Sequence, residues 1–402
     1  MASRSQALPG AAASKSRSEA KATTKRRTQP AGLLMVSTGA LVLLGLIMIL
    51  SASSVSSFAT YGSSFLFFNK QLLWAGIGLA GFVFFSRFDY RRLKGKGYLL
   101  LPAVGVLLLA VLIPGVGIVA GGSARWIGAG PLAFQPSELA KLALVLFLAD
   151  VFSRKEERTL QDLSHTLLPF APVVGILALL VMMQPDMGTT LLIGSIGLGM
   201  LFVAGAPLRY LVPMGILSLG AAAAAALSAE YRRERVLAFM DPWADPLNTG
   251  YHTIQSLIAL GSGGWLGVGL GASRQKWSYI PNAHTDFIYS ILGEEMGLLG
   301  TLTVLGLFAF IVYLGIRTAR HARDRFGMFV AVGITIWIGV QSMVNMGAVT
   351  ATMPITGVPL PLVSFGGSSL VVSLIAMGIL TNIAKQGRSV RRPAQARRSE
   401  KT

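Results

Sequence analysis

Three carboxylates, Asp286, Glu294 and Glu295, lie in or beside one apolar run, "YIPNAHTDFIYSILGEEMG", at residues 279–297. An ionisable group in a membrane segment is costly and by default marks a function. On a helix, Glu294 would lie about 12 Å along the axis from Asp286 and roughly 80° around it. The two carboxylates of a glycosidase are roughly 5–10 Å apart, so catalysis here would use one carboxylate. The alternative role for Asp286 is a helix N-cap, and Glu294 and Glu295 are expected to make polar contacts inside a bundle.

A second set of charges lies in "GGSARWIGAGPLAFQPSELAKLALVLF", which contains Arg125, Glu138 and Lys141. Glu138 and Lys141 are three residues apart, and the preceding "QPS" predicts a helix start, so the two side chains share one helix face. Two interpretations remain open. The two charges neutralise each other, or Lys141 faces a bound anion.

Five basic residues fall in one long loop between apolar runs, and four of them are candidate ligand-binding residues: Arg232, Arg235, Arg274 and Lys276. If this loop is on the outer side of the membrane, basic residues should be scarce there. We therefore predict a cationic cluster for an anionic ligand such as a phosphate or diphosphate. Contact with lipid head groups is the alternative.

Two segments interrupt the apolar pattern. "MMQPDMGTT" predicts a tight turn at Pro185-Asp186, with Asp186 able to cap the next helix. "MPITGVPLPLVSFGGSSL" is rich in small residues and proline, and non-helical backbone within a membrane persists only where it lines a cavity or is buried in protein.

Composition sets the class of protein. The 402 residues are 53% hydrophobic and only 13% charged, whereas soluble domains are about 25% charged. There is no cysteine, which excludes disulfides and thiolate chemistry. No P-loop or G-x-S-x-G motif is present, and His252 and His284 lack a third ligand at metal-binding spacing, so no metal site is predicted.

The apolar windows predict an all-α, polytopic membrane protein of ten transmembrane helices. The windows are 33–54, 70–86, 97–119, 137–153, 166–183, 187–205, 208–228, 286–316, 326–346 and 366–385.

Most of the 35 Lys and Arg residues then fall on one side, which places both termini in the cytoplasm. Basic membrane flanks explain the charge of +18, so nucleic acid is not expected as a partner. The predicted parts are a disordered basic tail at 1–30, a membrane domain at 31–386 with an extracytoplasmic loop at 229–285 between helices 7 and 8, and a basic tail at 387–402. An organelle transit peptide is the alternative for the first tail.

Four ordered motifs, "QPSELAKL", "MMQPDMGTT", "LIALGSGGWLGVGLGASRQKWSYIPNAHTDFIYSILGEEMGLLG" and "MPITGVPLPLVSFGGSSL", resemble the SEDS family of shape, elongation, division and sporulation proteins. The similarity extends over about residues 30–386. The "FMDPWADP" and "SRQKW" segments and the basic tail resemble the members that act in division more than those that act in elongation.

The resemblance implies a membrane glycosyltransferase that polymerises lipid II into glycan strands on the outer face during septal cell-wall synthesis. It also implies a class B penicillin-binding protein and divisome proteins as partners, in the bacterial plasma membrane. It places the family's essential aspartate at Asp286, its functional lysine at Lys141, and its outer-loop arginines at Arg125, Arg232 and Arg235.

Lipid II carries a diphosphate leaving group, so the reaction needs a base for the incoming hydroxyl and a cation beside the diphosphate. Asp286 is the predicted base, and the reaction would invert the anomeric carbon. Arg or Lys side chains, or a divalent cation such as Mg²⁺ or Mn²⁺, would supply the positive charge. The predicted substrate-binding residues are Arg125, Glu138, Lys141, Arg232, Arg235, Arg274 and Lys276. The alternatives are a lipid II flippase, an elongation polymerase, or a scaffold of the divisome.

Overall fold

The structure, a computed structural model, describes residues 30–120, 123–128, 130, 133–155, 163–277 and 283–389. The predicted N-terminal tail up to residue 29 and the part of the C-terminal tail from residue 390 lie outside the described residues.

Within the described residues, α-helices lie in each of the ten windows predicted to span a membrane, and two further α-helices lie in the long loop. In the part of the chain that the structure describes, six are long and apolar enough to cross a membrane, and three apolar helical segments are shorter. The helical membrane fold agrees with the prediction, and the number of crossings stays a prediction.

The α-helices are α1 Pro30–Tyr61, α2 Leu66–Arg87, α3 Gly97–Val111, α4 Pro136–Arg154, α5 Leu163–Met182, α6 Met187–Val203, α7 Leu208–Leu227, α8 Glu230–Met240, α9 Tyr251–Ser262, α10 Ile288–Arg320, α11 Arg325–Val349 and α12 Gly367–Ser389.

The prediction of an all-α chain is wrong at one place. Strands β1 (Ile118–Ala120) and β2 (Ser123–Trp126) pair as an antiparallel hairpin where the third span was expected to continue. Proline lacks an N–H, and Gly115 has a φ of 88°, so the "PGVG" sequence after α3 cannot continue the helix. The β-branched residues that follow suit a strand instead.

Helix α4 forms the centre of the bundle, because nearly all of its side chains from Pro136 to Phe152 are buried. Its neighbour α3 reaches it closely at Gly97, where a Cβ would overlap the backbone of Phe147. Small residues that allow such close backbone approach are typical of helix contacts in membranes. Glu138, Lys141 and Asp150 of α4 are therefore held inside protein, whereas Arg154 at its end is about half exposed.

Helix α10 is broken at Gly297, whose φ and ψ are 65° and −165°. A glycine-rich segment, residues 263–271, packs on the break. Gly267 lies so close that a Cβ there would overlap the carbonyl oxygen of Glu295. Four backbone hydrogen bonds satisfy groups that the break frees: Val268 N to Glu294 O at 2.9 Å, Gly269 N to Glu295 O at 3.1 Å, Leu298 N to Gly264 O at 2.9 Å and Leu299 N to Trp265 O at 3.2 Å.

Candidate active site

Asp286 is partly buried and lies just before α10, whose N-cap position is Phe287. The interpretation of Asp286 as an N-cap is therefore wrong. Its backbone carbonyl accepts a hydrogen bond of 2.9 Å from Asn345 Nδ2 on α11. The carboxylate is thus held at the end of the bundle by the backbone, and its oxygens remain available for chemistry.

Charged groups from three other segments surround this carboxylate. Burial raises the pKa of Asp286 to about 6, while Arg235 and Arg125 act to lower that pKa and Asp186 acts to raise it. A general base works best with a pKa near the operating pH. Asp286 combines this proton affinity with two nearby cations, which is the combination that the predicted chemistry requires.

Glycine at position 357 leaves open space beside the carboxylate. An added Cβ there would lie 3.7 Å from Asp286 Oδ2 and 4.0 Å from Arg235 Nη1. Gly357 has a φ of 72°, a conformation that other residues rarely adopt. The loop of residues 351–366, which contains the predicted proline-broken segment, therefore forms one wall of the site.

Arg125 reaches the site from strand β2 and also holds a neighbouring turn. Its Nε donates to the carbonyl oxygen of Gln184 at 3.0 Å, and its Nη2 donates to that of Pro185. The turn ends at Asp186, which accepts from Thr189 N at 3.0 Å and caps α6. The predicted turn and cap are both confirmed, and they set Arg125 beside Asp186.

Helix α8 contributes Arg232 and Arg235. Arg232 Nη2 donates to Ser228 Oγ at 3.1 Å, so this side chain extends along its own helix toward α7. Arg235 lies near both Asp286 and His252, because it lowers the pKa of each. Arg235 is thus the α8 arginine that the structure brings to the carboxylate.

The four-residue cationic cluster predicted in this loop is wrong for Lys276. Its side chain turns inward, donates to the carbonyl oxygen of Gly271 and lies 3.9 Å from Glu295 Oε1. Arg274 is exposed, and its backbone N donates to Glu294 Oε1 at 2.8 Å. A buried charge is costly unless it is paired or hydrogen-bonded, and Lys276 supplies a cation beside Glu295 of the broken helix.

Glu294 and Glu295 make the polar contacts inside the bundle that were expected. Ser273 Oγ donates to Glu294, and Ser51 Oγ on α1 donates to Glu295. Both carboxylates are buried. They hold the 263–276 segment against the break in α10, and they do not line the Asp286 site.

Lys141 is fully buried inside the bundle. Its Nζ lies 2.9 Å from Glu138 Oε1 and donates to Gln341 Oε1 at 2.9 Å, and it also lies 5.0 Å from the ring centre of Trp337. The pairing predicted from the i, i+3 spacing is confirmed. A direct contact of Lys141 or Glu138 with substrate stays a prediction.

Asn345, Gln341 and Gly357 are the site residues that the sequence interpretation missed. Asn345 and Gln341 are buried amides one turn apart on an apolar helix. Polar side chains in such a helix are expensive and usually have partners, so this spacing was an available signal. Gly357 lies in the proline-broken segment, which was identified only as a whole.

The described residues contain no group of three or more His, Cys, Asp or Glu side chains placed to hold a metal ion. Asp286 is near Asp186, but Asp186 uses both carboxylate oxygens on Thr189. Mg²⁺ commonly binds through one or two carboxylates together with substrate phosphates and water. A divalent ion held by Asp286 and a diphosphate fits this donor set, whereas a site made from protein ligands alone does not.

Comparisons with known proteins agree on one family. The family model described as "Cell cycle protein", which covers FtsW, RodA and SpoVE, matches residues 32–389. The chain is 43% identical to stage V sporulation protein E of Bacillus subtilis, over 91% of this chain and 100% of that protein. It is 40% identical to the probable peptidoglycan glycosyltransferase FtsW of Geobacter metallireducens, over 88% and 94%.

Two solved structures are similar as well. One is a chain of a peptidoglycan synthase complex described as coordinating polymerization and crosslinking, with a TM-score of 0.72 and 32% identity over 88% of this chain and 97% of that one. The other is the rod shape determining protein RodA of Thermus thermophilus, with a TM-score of 0.66 and 28% identity over 90% and 99%.

Proposed function

Because this chain belongs to the SEDS family of FtsW, RodA and SpoVE, we propose that it is a peptidoglycan glycosyltransferase that polymerises lipid II. Several of its relatives carry the name of probable peptidoglycan glycosyltransferase. The observation that carries the proposal is the position of Asp286, a carboxylate with a raised pKa facing Arg235 across Gly357.

In the proposed reaction, a sugar hydroxyl of one chain attacks the anomeric carbon of the lipid-linked sugar. The Asp286 carboxylate takes the proton of that hydroxyl as the new carbon–oxygen bond forms. The bond from the anomeric carbon to the diphosphate oxygen breaks, and its electron pair leaves with the diphosphate. Attack from the opposite side converts an α-linkage into a β-linkage.

Arg235 and Arg125 supply positive charge on the side where the diphosphate gains charge. Both influence Asp286 electrostatically, so both lie close to the reacting group. Fixed cations aimed at developing charge stabilise a transition state without reorganisation. If a divalent ion takes part, Asp286 would help to hold it, and the ion would supply Lewis-acid stabilisation of the leaving diphosphate.

Orientation follows from charge. We propose that the Asp286 end of the bundle faces outward and that both termini are cytoplasmic. This places Arg87, Arg92, Arg154 and Arg325, at the opposite helix ends, on the basic side. Lipid II then reaches the site from the outer leaflet.

For partners, we propose a class B penicillin-binding protein. A similar chain occurs in a peptidoglycan synthase complex described as coordinating polymerization with crosslinking. We also propose a septal role with divisome proteins, in keeping with the FtsW relatives at 37–40% identity, while the sporulation relative is 43% identical. Sporulation and elongation roles are the alternatives.

The test is a polymerisation assay with the purified protein, its class B partner and fluorescent lipid II in vesicles. Glycan strands that depend on the protein support the proposal. Movement of labelled lipid II between leaflets without any glycan would overturn it in favour of a flippase. An inactive transpeptidase partner serves as the control, because crosslinking is not needed for strands to form.

A further inference from the structure

We propose that Asn345 and Gln341 form an amide clamp on α11 that positions Asp286 and the 351–366 loop relative to each other. The proposal rests on the proposed function, because it assigns both residues a role in the reaction at Asp286. Neither residue touches the reacting atoms in this role, so both are positioning residues.

Asn345 joins the two walls of the site through one nitrogen. Its Nδ2 donates to the carbonyl oxygen of Asp286 at 2.9 Å and to that of Val358 at 2.8 Å. Asn345 is 2% exposed, so water does not compete for these bonds. Val358 follows Gly357, where the Asp286 carboxylate and Arg235 approach each other. The position of Asp286 relative to the Gly357 wall, which Arg235 also approaches, therefore depends on one amide.

Gln341 extends the same arrangement by one turn. Its Nε2 donates to the carbonyl oxygen of Pro359 at 2.9 Å. Its Oε1 accepts from Lys141 Nζ at 2.9 Å and from Trp337 Nε1 at 2.7 Å. Two donors on the oxygen fix which way the amide points, so the nitrogen must face the loop. The buried Glu138–Lys141 pair is thereby connected to the wall that faces Asp286.

This connection gives Lys141 a role that needs no contact with substrate. A buried cation beside Gln341 Oε1 holds the amide in one orientation.

The loop carbonyls that accept from Asn345 and Gln341 lie in a protein interior, where an unpaired polar group is costly. Only a donor can satisfy them, and an ionised carboxylate offers none. Replacing either amide by the acid of the same shape therefore removes the clamp and keeps the side-chain volume.

The first test compares Asn345→Asp with a matched control, Asn382→Asp. Asn382 is also a buried amide, whose Nδ2 donates to Ser86 O at 3.1 Å and whose Oδ1 accepts from Tyr90 N at 3.2 Å. It lies on α12 about 22 Å along the axis from the start of that helix, at the end of the bundle away from Asp286. Both variants lose donors to a carbonyl, so both should unfold at a lower temperature.

The two variants differ in the kinetics of lipid II polymerisation. We expect Asn345→Asp to lower kcat by about 10- to 100-fold with little change in KM, because small misplacement of a catalytic group is costly. The acid limb of its pH profile, which is the rise of the polymerisation rate with pH on the acidic side, should shift as well. The reason is that Asp286 moves relative to Arg235 on α8. Asn382→Asp should keep the wild-type kcat per folded protein and the wild-type acid limb.

Gln341→Glu provides a second variant if Asn345→Asp does not fold. The carboxylate can still accept from Lys141 and Trp337, but it cannot donate to Pro359 O. We expect a lower melting temperature, because Pro359 O loses its donor, and a fall in kcat that exceeds the loss of folded protein. The clamp would be overturned if Asn345→Asp or Gln341→Glu kept the wild-type kcat and the wild-type pH dependence at acidic pH. It would also be overturned if their activity fell only in proportion to the folded fraction, as is expected for Asn382→Asp.

Amide hydrogen exchange separates this proposal from the proposed function. The clamp predicts faster exchange in residues 284–290 and 353–362 of Asn345→Asp, with no such change in Asn382→Asp, whether or not the protein makes glycan. Absence of glycan from the wild type overturns the proposed function. Unchanged exchange in those segments overturns the clamp alone.

Discussion

Asp286 and Arg235 approach each other across Gly357, with Asp286 Oδ2 and Arg235 Nη1 lying 3.7 and 4.0 Å from the point where a Cβ of residue 357 would stand. The two residues come from different segments, the start of α10 and helix α8. Transfer of a sugar from a diphosphate requires a base for the incoming hydroxyl and a cation for the leaving group. Asp286 and Arg235 provide these two groups on opposite sides of one small space.

The first prediction concerns pH. Asp286 acts as a base only when ionised, and its pKa is about 6. The rate of polymerisation should therefore rise through about pH 6 and level off above it. Arg235 lowers this pKa, so Arg235→Gln should move the limb to higher pH and reduce the rate more at pH 6 than at pH 8. Arg233→Gln, an exposed neighbour on the same helix, is the control and should leave the limb in place.

A second prediction concerns the open space at Gly357. In Gly357→Ala the new methyl would stand 3.7 Å from the Asp286 carboxylate, and a φ of 72° would cost roughly 1–2 kcal/mol. The rate should fall at least tenfold. Gly62 has a φ of 71° and nothing within 4 Å, so Gly62→Ala carries similar strain without crowding the site. Equal rates for the two alanine variants in assays at equal folded fraction would contradict this prediction.

A third prediction distinguishes the two roles of Lys141. Removing one partner of a buried ion pair costs about 3–5 kcal/mol, so Lys141→Met should lower the melting temperature strongly. The double variant Glu138→Gln/Lys141→Met should recover much of that stability. If Lys141 only supports the fold through Gln341, the double variant should recover part of the activity too. Recovered stability with no activity would instead show that the reaction needs the Lys141 cation itself, beyond its contribution to stability.

The fourth prediction concerns the break in α10. Gly267→Ala would place a methyl against the carbonyl oxygen of Glu295 and detach the glycine-rich segment from the helix. We expect a fall of more than about 2 kcal/mol in the free energy of unfolding. Gly269 also has a positive φ, of 105°, but has nothing within 4 Å. Gly269→Ala is therefore the control, and a loss in it as large as in Gly267→Ala would contradict the packing described for this segment.

The sequence predicted those parts of the structure that depend on local spacing. The helix windows follow from runs of apolar residues, the Glu138–Lys141 pair from a three-residue interval, and the Asp186 cap from a proline turn. Each of these contacts joins residues within one or two helical turns, so the periodicity of the helix is enough to place them.

Contacts between distant segments could not be predicted in this way. Asn345 meets Asp286 across 59 residues, and Lys141 meets Gln341 across 200. Lys276 appeared to belong with the loop arginines because they are neighbours in sequence, yet it faces the break in α10. Which cation meets which carboxylate depends on how the helices pack, and the pattern of residue types does not specify that packing.

The most direct measurement is the rate of glycan formation from fluorescent lipid II by Asp286→Asn beside the wild type, each with the class B partner at pH 7.5. Asparagine keeps the shape and the backbone carbonyl that Asn345 holds, and it cannot take the hydroxyl proton. We predict long glycan strands from the wild type and none from Asp286→Asn. Because the raised pKa of Asp286 means that its ionised form costs stability at pH 7.5, the melting temperature of Asp286→Asn should be no lower than that of the wild type. Strands from Asp286→Asn at a rate near that of the wild type would show that another group is the base.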